Sequence, residues 1–75
     1  MYSASESYYD GEGRLRMPGE AFIDYQGIVR HPGELFYDSA GILRSDEDNF
    51  FDGKAILRAP WESFYDSQGY LRLGR

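Results

Sequence analysis

The sequence contains no cysteine, only three prolines and no long run of apolar residues. Without cysteine, neither a disulfide framework nor a thiolate metal site can stabilise the fold. No stretch reaches membrane-spanning length, and the N-terminus lacks the basic start and the apolar run of a signal peptide. We therefore expect a soluble protein, cytoplasmic or virion-associated, without a signal peptide or transmembrane segment.

Positive charge is also scarce, because eight Lys and Arg stand against thirteen Asp and Glu, for a net charge of −5. This balance repels nucleic-acid phosphates and anionic membrane surfaces at long range. Aromatic residues make up 17% of the chain, whereas disordered segments are depleted in them. The composition predicts a folded, acidic, aromatic-rich protein that binds neither nucleic acid nor membrane.

What the chain does have is a unit of 14 residues that recurs five times. In the third unit the string Phe-Tyr-Asp-Ser-Ala-Gly-Ile-Leu-Arg begins at Phe36. Asp at the first position of a turn and Gly at the fourth are typical of a type I turn followed by a bulge, so the string predicts a β-hairpin. Residues 1–7 are expected to form a loose leader or an irregular edge strand. The repeats of the single domain 8–75 are 8–21, 22–35, 36–49, 50–63 and 64–75.

The alternation of period two, with a turn signal every seven residues, excludes helices and limits the strands to a few residues. We predict an all-β fold of five tandem hairpin repeats, either a short-stranded meander, open or closed, or a stack of hairpins. One row of residues is apolar in every repeat, and we expect it to be the structural core: Tyr9, Leu15, Ile23, Val29, Tyr37, Leu43, Phe51, Leu57, Tyr65 and Leu71.

Two segments depart from the repeat pattern. Pro-Gly follows the first and second hairpins and predicts type II turns there, whereas residues 45–49 lack Pro-Gly and predict a solvated loop. In the fourth repeat Ala55 replaces the turn glycine, and Ala at positive φ costs about 1 kcal/mol. We therefore expect this hairpin to use Asp52 and Gly53 in a different tight turn.

Segments 9–15, 37–43 and 65–71 share Tyr-Asp, two variable residues, Gly, one variable residue and Leu. This pattern resembles the YD repeat of Rhs-type proteins. The hairpin is also similar to the aromatic choline-binding repeats of bacterial surface proteins, and the second repeat resembles a WG repeat. The resemblance implies a repeat scaffold that binds sugars or encloses a partner. The period of 14 residues and the Pro-Gly connectors are not part of the YD pattern.

The Asp of each turn has two interpretations. Carboxylates at a regular spacing could attract Ca²⁺. An Asp at this turn position also accepts hydrogen bonds from backbone N–H groups two or more residues on, and we expect this capping role. The contiguous acids Asp46, Glu47 and Asp48 form a candidate metal loop, which we expect to be solvated. No metal and no cofactor is predicted.

The candidate ligand- or partner-binding residues are aromatic or cationic: Trp61, Tyr25, Tyr70, Arg30, Arg44 and Arg58. Trp61 lies in a connector, where it could anchor a partner or cap the core. Tyr25 and Tyr70 lie off the repeat pattern and could line an aromatic cage for a sugar or a quaternary ammonium. The arginines could recognise a carboxylate or a sugar, but we expect them to pack on aromatic side chains, pair with the Asp and fix the strand register.

The sequence gives no support to catalysis, because the one histidine precedes a proline in a turn and no cysteine nucleophile or phosphate-binding loop is present. We expect a non-enzymatic structural or protein-interaction repeat module that self-associates into a homo-oligomer or binds another protein. A chain of this length without disulfides needs further stabilisation, and an open repeat array leaves free edges. The alternative is a repeat module that binds carbohydrate or choline-type ligands at aromatic sites between its repeats.

Overall fold

The structure, a computed structural model, describes residues 4–74, where ten two-residue strands pair into five antiparallel hairpins. Residues 1–3 of the predicted leader and residue 75 of the fifth repeat lie outside the described part. The strands are β1 (Tyr8–Tyr9), β2 (Leu15–Arg16), β3 (Phe22–Ile23), β4 (Val29–Arg30), β5 (Phe36–Tyr37), β6 (Leu43–Arg44), β7 (Phe50–Phe51), β8 (Leu57–Arg58), β9 (Phe64–Tyr65) and β10 (Leu71–Arg72). Residues 4–74 contain no helix long and apolar enough to cross a membrane. The predicted all-β fold of five hairpin repeats is confirmed.

Each hairpin closes through an Asp-x-x-Gly turn or its alanine variant. In repeat 3, the N–H of Gly41 donates to the carbonyl oxygen of Asp38 at 3.0 Å, and Gly41 has a φ of 76°. The N–H of Asp38 donates to the carbonyl oxygen of Ile42 at 3.0 Å. The residue at positive φ is therefore the bulge, as the turn composition predicts.

The fourth hairpin uses this same turn, so the prediction of a different turn at Asp52 and Gly53 was wrong. The N–H of Ala55 donates to the carbonyl oxygen of Asp52 at 2.9 Å, and Ala55 has a φ of 59°. Among residues 4–74 it is the only residue other than glycine with a positive φ. Gly53 instead allows the backbone of repeat 5 to approach closely, because a Cβ at residue 53 would lie 2.0 Å from the carbonyl oxygen of Asp66.

The five hairpins close into a ring of separate two-stranded ladders. The N–H of Gly11 in repeat 1 donates to the carbonyl oxygen of Ile23 in repeat 2 at 2.8 Å, and each later repeat makes the equivalent contact with the next. Repeat 5 makes it with repeat 1, because the N–H of Ser67 donates to the carbonyl oxygen of Tyr9 at 3.4 Å. Equivalent positions therefore lie on rings around an approximate five-fold axis, in a molecule of 22 × 21 × 19 Å.

The core lies on the face opposite to the one predicted. It consists of five aromatic side chains that are 1–2% exposed: Tyr8, Phe22, Phe36, Phe50 and Phe64. Four pairs of neighbouring rings meet edge to face, with centroids 6.0–6.3 Å apart. The row predicted as the core points outward instead. Its second-strand members are 45–58% exposed: Leu15, Val29, Leu43, Leu57 and Leu71.

The prediction of the core was wrong because alternation separates two faces of a strand without showing which one turns inward. The inner face carries an Asp and an Arg in every repeat, and charged groups are costly to bury unless they are paired and hydrogen-bonded. In the ring the Asp and Arg side chains are both paired and hydrogen-bonded. The charged face can therefore pack around the axis, and the uncharged row is left outside.

The described part of the predicted leader completes the ring. Ala4 forms an antiparallel bridge with Gly74, and the N–H of Ser5 donates to the carbonyl oxygen of Leu73 at 3.1 Å. Leu73 in turn donates its N–H to Glu6 Oε1 at 2.9 Å. Ala4 also packs against the aromatic core. The two ends of the chain therefore form one connector between repeat 5 and repeat 1.

Glu6 makes a contact that recurs in the covalent connectors. Glu20 Oε1 accepts the N–H of Met17 at 2.6 Å, and Glu34 Oε1 accepts that of His31 at 2.5 Å. In each of these connectors the first residue is thus held by the carboxylate of the fourth.

Residues 45–49 keep both the carboxylate contact and the turn. The prediction that this segment is a solvated loop without a turn is therefore corrected. The N–H of Asp48 donates to the carbonyl oxygen of Ser45 at 3.1 Å, and Asp48 Oδ2 accepts the N–H of Ser45 at 2.8 Å. No residue of this connector has a positive φ, so the turn does not need the glycine of a type II turn.

Candidate interaction surface

One buried aspartate per repeat joins the hairpins. Asp38 Oδ1 accepts the N–H groups of Ala40 and Ile42, each at 3.0 Å. Asp38 Oδ2 accepts Nε–H of Arg44 and the N–H of Phe51 in the next repeat, each at 3.0 Å. The predicted capping role is confirmed. The same carboxylate also links its turn to an arginine and to the neighbouring hairpin.

These four hydrogen bonds recur in every repeat, including the one that closes the ring. Asp66 Oδ2 accepts the N–H of Tyr9 in repeat 1 at 3.1 Å and Nε–H of Arg72 at 3.0 Å. The Asp residues are 0–1% exposed. The ion pairs, with N–O distances of 2.9–3.0 Å, are Arg16–Asp10, Arg30–Asp24, Arg44–Asp38, Arg58–Asp52 and Arg72–Asp66.

Burial alone raises the pKa of these carboxyl groups, but their hydrogen bonds have the larger combined effect. Backbone N–H donors and the paired guanidinium hold the pKa of Asp10, Asp24, Asp38 and Asp52 below the ordinary value of 3.8. These four carboxylates are therefore ionised at neutral pH. Each carboxylate accepts three backbone N–H groups and one arginine Nε–H, so the aspartates act as joints of the ring.

The predicted binding residues Arg30, Arg44 and Arg58 are engaged in the same joints. Each guanidinium also lies over the outward aromatic ring of the next repeat. The distances from the guanidinium carbon to the ring centroid are 5.7 Å for Arg30 to Tyr37, 5.8 Å for Arg44 to Phe51 and 5.6 Å for Arg58 to Tyr65. The protein's own cations thus occupy the aromatic sites at which a quaternary ammonium would be expected to bind.

Tyr25 is partly buried on the inner side of the ring. It occupies the turn position directly after the Asp, and it packs against the aromatic core. Burial, followed by the negative charges of Asp52 and Asp66, raises the pKa of its hydroxyl. The other repeats have a small residue at this position: Gly11, Ser39, Gly53 and Ser67. One tyrosine therefore takes a position that is small in the other repeats, and the aspartates of all four other repeats influence its hydroxyl.

Tyr70 and Trp61 lie at two different places on the surface. Tyr70 is 58% exposed, and its ring centroid lies 6.0 Å from that of Tyr9, where repeat 5 meets repeat 1. Trp61 is 67% exposed and lies in the connector between repeats 4 and 5. Because Tyr25 packs against the core whereas Tyr70 and Trp61 lie at separate places on the surface, these three aromatic residues do not line one cage.

The acidic connector was the candidate metal loop. Asp48 uses its carboxylate on the N–H of Ser45, and Glu47 is exposed. Within residues 4–74, no three His, Cys, Asp or Glu side chains are grouped closely enough to hold a metal ion.

The outward face of the ring is the candidate interaction surface. We call the ten residues that the sequence predicted as the core the outer row, and all ten are apolar or aromatic. Beside them, Ile28, Ile42 and Ile56 are 43–44% exposed. Soluble monomers rarely expose a contiguous apolar patch larger than about 300–600 Å². The exposed apolar residues recur in every repeat, and we therefore take this face as the candidate interaction surface.

Comparison of the chain with protein-family models, curated proteins and solved structures finds no match. Two features of the surface were not predicted from the sequence: the outward orientation of the outer row and the role of Glu6. A signal for Glu6 was present, since Ser5-Glu6-Ser7 matches the end of the connector Gly19-Glu20-Ala21. No local signal gave the orientation, which depends on the closed ring.

Proposed function

We propose that the chain is a non-enzymatic structural and protein-interaction module that self-associates through its outer row. One observation carries the proposal. Five outer-row positions that are aliphatic in every repeat lie on the surface and are 45–58% exposed. Covering them with a second protomer would remove apolar area from water, which contributes roughly 25 cal/mol per Å².

Ring closure changes the physical reason for assembly. In an open array, partners would have to cover the free edges, but repeat 5 binds repeat 1 and covers those edges within one chain. Addition of a partner strand at an array end is therefore not the mode we propose. The driving force is burial of the outward apolar side chains.

Light scattering over about a hundredfold range of protein concentration tests the proposal. We expect a mass above the 8.7 kDa of one protomer, falling towards it on dilution. Leu57→Gln in the outer row should weaken the association. Leu35→Gln should not, since Leu35 is similarly exposed (48% against 51%) but lies in a connector.

Both variants should keep the far-ultraviolet circular dichroism of the parent, because both side chains are about half exposed. A folded wild-type chain that stays at 8.7 kDa at every concentration would contradict the proposal. Equal weakening by the two variants would place the contact elsewhere than on the outer row.

A further inference from the structure

The departures from the repeat pattern are concentrated around repeat 4. The connector before it carries Asp46, Glu47 and Asp48, its turn carries the one lysine of the chain, Lys54, and the connector after it carries the one tryptophan, Trp61. The connectors after repeats 1 and 2 keep Pro-Gly and a single acid each. One side of the ring thus differs in charge and shape from the others.

We call this side the repeat 4 face. Its centre is apolar, with Phe51 half-buried, Ile56 43% exposed and Leu57 51% exposed. The acidic connector and the Trp61 connector adjoin the strand ends Phe50 and Arg58, whereas the turn lies at the other end of the hairpin. The exposed carboxylate of Glu47 and the exposed ammonium group of Lys54 therefore lie at opposite ends of one apolar surface.

The charges inside repeat 4 do not alter this distribution. Asp52 is buried and paired with Arg58 at 3.0 Å, so neither presents a free charge. Lys54 is exposed, and its Nζ lies 4.4 Å from the centroid of the Tyr65 ring. An exposed ammonium group that lies on an aromatic ring can still donate hydrogen bonds to a carboxylate of a partner.

We propose that a second copy of the chain binds the repeat 4 face across a two-fold axis, so that each acidic connector lies opposite the partner's Lys54. This inference rests on the proposed self-association and assigns it a surface and a symmetry. In a two-fold contact a patch meets its own equivalent, and residue i contacts j while j contacts i. An axis in the interface, perpendicular to the line from the acids to Lys54, makes this exchange.

The charges select that axis over the alternatives. An axis along the line from the acids to Lys54 would place acids against acids, in two chains that each carry a net charge of −5. The area also fits one face of the ring. A standard interface buries roughly 800 Å² per partner, which is about one-fifth of the 4091 Å² of accessible surface, the share of one repeat in five.

Charge exchange tests the inference by analytical ultracentrifugation of the full chain. Lys54→Glu should weaken the dimer about tenfold, because two symmetry-related attractions become repulsions. Glu47→Lys should weaken it by a similar factor. The double variant keeps the net charge of −5 and restores the opposite signs, so its dissociation constant should return to within about threefold of wild type.

Two variants in repeat 1 are matched controls. Arg14→Glu changes the net charge as Lys54→Glu does, and Glu12→Lys changes it as Glu47→Lys does. Arg14 has a side chain that is 68% exposed, and both residues lie away from repeat 4. If only net charge mattered, Glu47→Lys and Glu12→Lys would both strengthen association by reducing repulsion. The proposal requires Glu47→Lys to weaken it.

The outcomes separate this inference from the proposed function. A wild-type monomer would overturn both, and would leave an unlike partner as the occupant of the face. A wild-type dimer that responds equally to Glu47→Lys and Glu12→Lys would keep self-association but overturn the repeat 4 interface. Growth beyond a dimer would overturn the two-fold contact, which closes on itself. Circular dichroism of each variant confirms that its fold is retained.

Discussion

At the scale of single residues, the ring depends on aspartates whose four hydrogen bonds are all made inside the protein. Asp38 is 1% exposed, yet both of its carboxylate oxygens have two donors. A carboxylate that is buried and fully hydrogen-bonded remains ionised, whereas removing one partner of such a pair leaves an uncompensated charge. The outer row carries no charge, so it needs no such partners and can lie on the outside.

Ala55 allows a direct measurement of backbone strain. Because Ala55 has a φ of 59°, Ala55→Gly should stabilise the fold by about 0.5–1 kcal/mol. The glycine relieves the strain of the left-handed conformation, and part of this gain is offset because glycine raises the conformational entropy of the unfolded chain. The matched variant Gly41→Ala should destabilise by a similar amount. A Cβ at Gly41, with a φ of 76°, meets only the Gln26 side chain at 3.5 Å, an ordinary contact.

Urea unfolding of the two variants and the wild type gives these free energies. A stabilising Gly41→Ala, or a destabilising Ala55→Gly, would show that the turn conformation is not what sets the stability at this position.

At the scale of elements, each hairpin is too short to be stable alone and is held to the next by one carboxylate and one backbone contact. Two-stranded hairpins are at best marginally stable in water. The joint from Asp24 to the N–H of Tyr37 measures 3.1 Å, and the corresponding joints measure 2.9–3.1 Å. The hairpins are therefore expected to unfold together rather than one at a time.

Acid should release these joints together. The folded-state pKa of Asp10, Asp24, Asp38 and Asp52 is lowered from 3.8. Their stabilisation is therefore fully present above that value and is lost as the pH falls through the folded-state pKa. We expect a melting temperature that changes little between about pH 7 and pH 5 and falls steeply below about pH 4. Thermal melts followed by circular dichroism measure this. A melting temperature that is the same at about pH 2 as at neutral pH would contradict the role given to the aspartates.

The hairpins were predictable from local sequence, because Asp and Gly at fixed turn positions determine the turn and the register. Asp38 and Gly41 are an example, and even the departure at Ala55 follows the same geometry. The inward face was not predictable, because it depends on the contact from Asp38 to Phe51 in another repeat. The outer row was therefore recognised as one face of the strands, but it was predicted to be the core and not an exposed surface. The exposed position of Trp61 was one of two alternatives that sequence alone left open.

At the scale of the whole molecule, the chain forms a ring whose fifth connector is not covalent. Leu73 and Gly74 meet Ser5 and Glu6 through hydrogen bonds rather than through a peptide bond. The contacts between repeats 5 and 1 are otherwise those between any two neighbours. The position of the chain ends is therefore a small part of what determines the fold.

A circular permutant tests this at the same scale. Joining Gly74 to Ser5 restores the 14-residue period, and new ends can be placed between Pro32 and Gly33, within a connector. We expect the permutant to keep the parent circular dichroism, with a free energy of unfolding changed by less than about 2 kcal/mol. Opening the chain between Tyr37 and Asp38 instead should prevent folding, because it separates a strand from its turn aspartate. Loss of structure in the first permutant, measured by circular dichroism and urea unfolding, would contradict the interpretation.

Closure by aspartates that each bind the following repeat also fixes copy number. A linear solenoid can gain or lose a terminal module and still fold, since each module contacts only its neighbours. Here deletion of one 14-residue module would require four hairpins to close the gap spanned by Asp66 and Tyr9. A chain with four or six modules would have to close the ring with a different angle between neighbouring repeats, so we expect these contacts to be kept only by the chain with five modules.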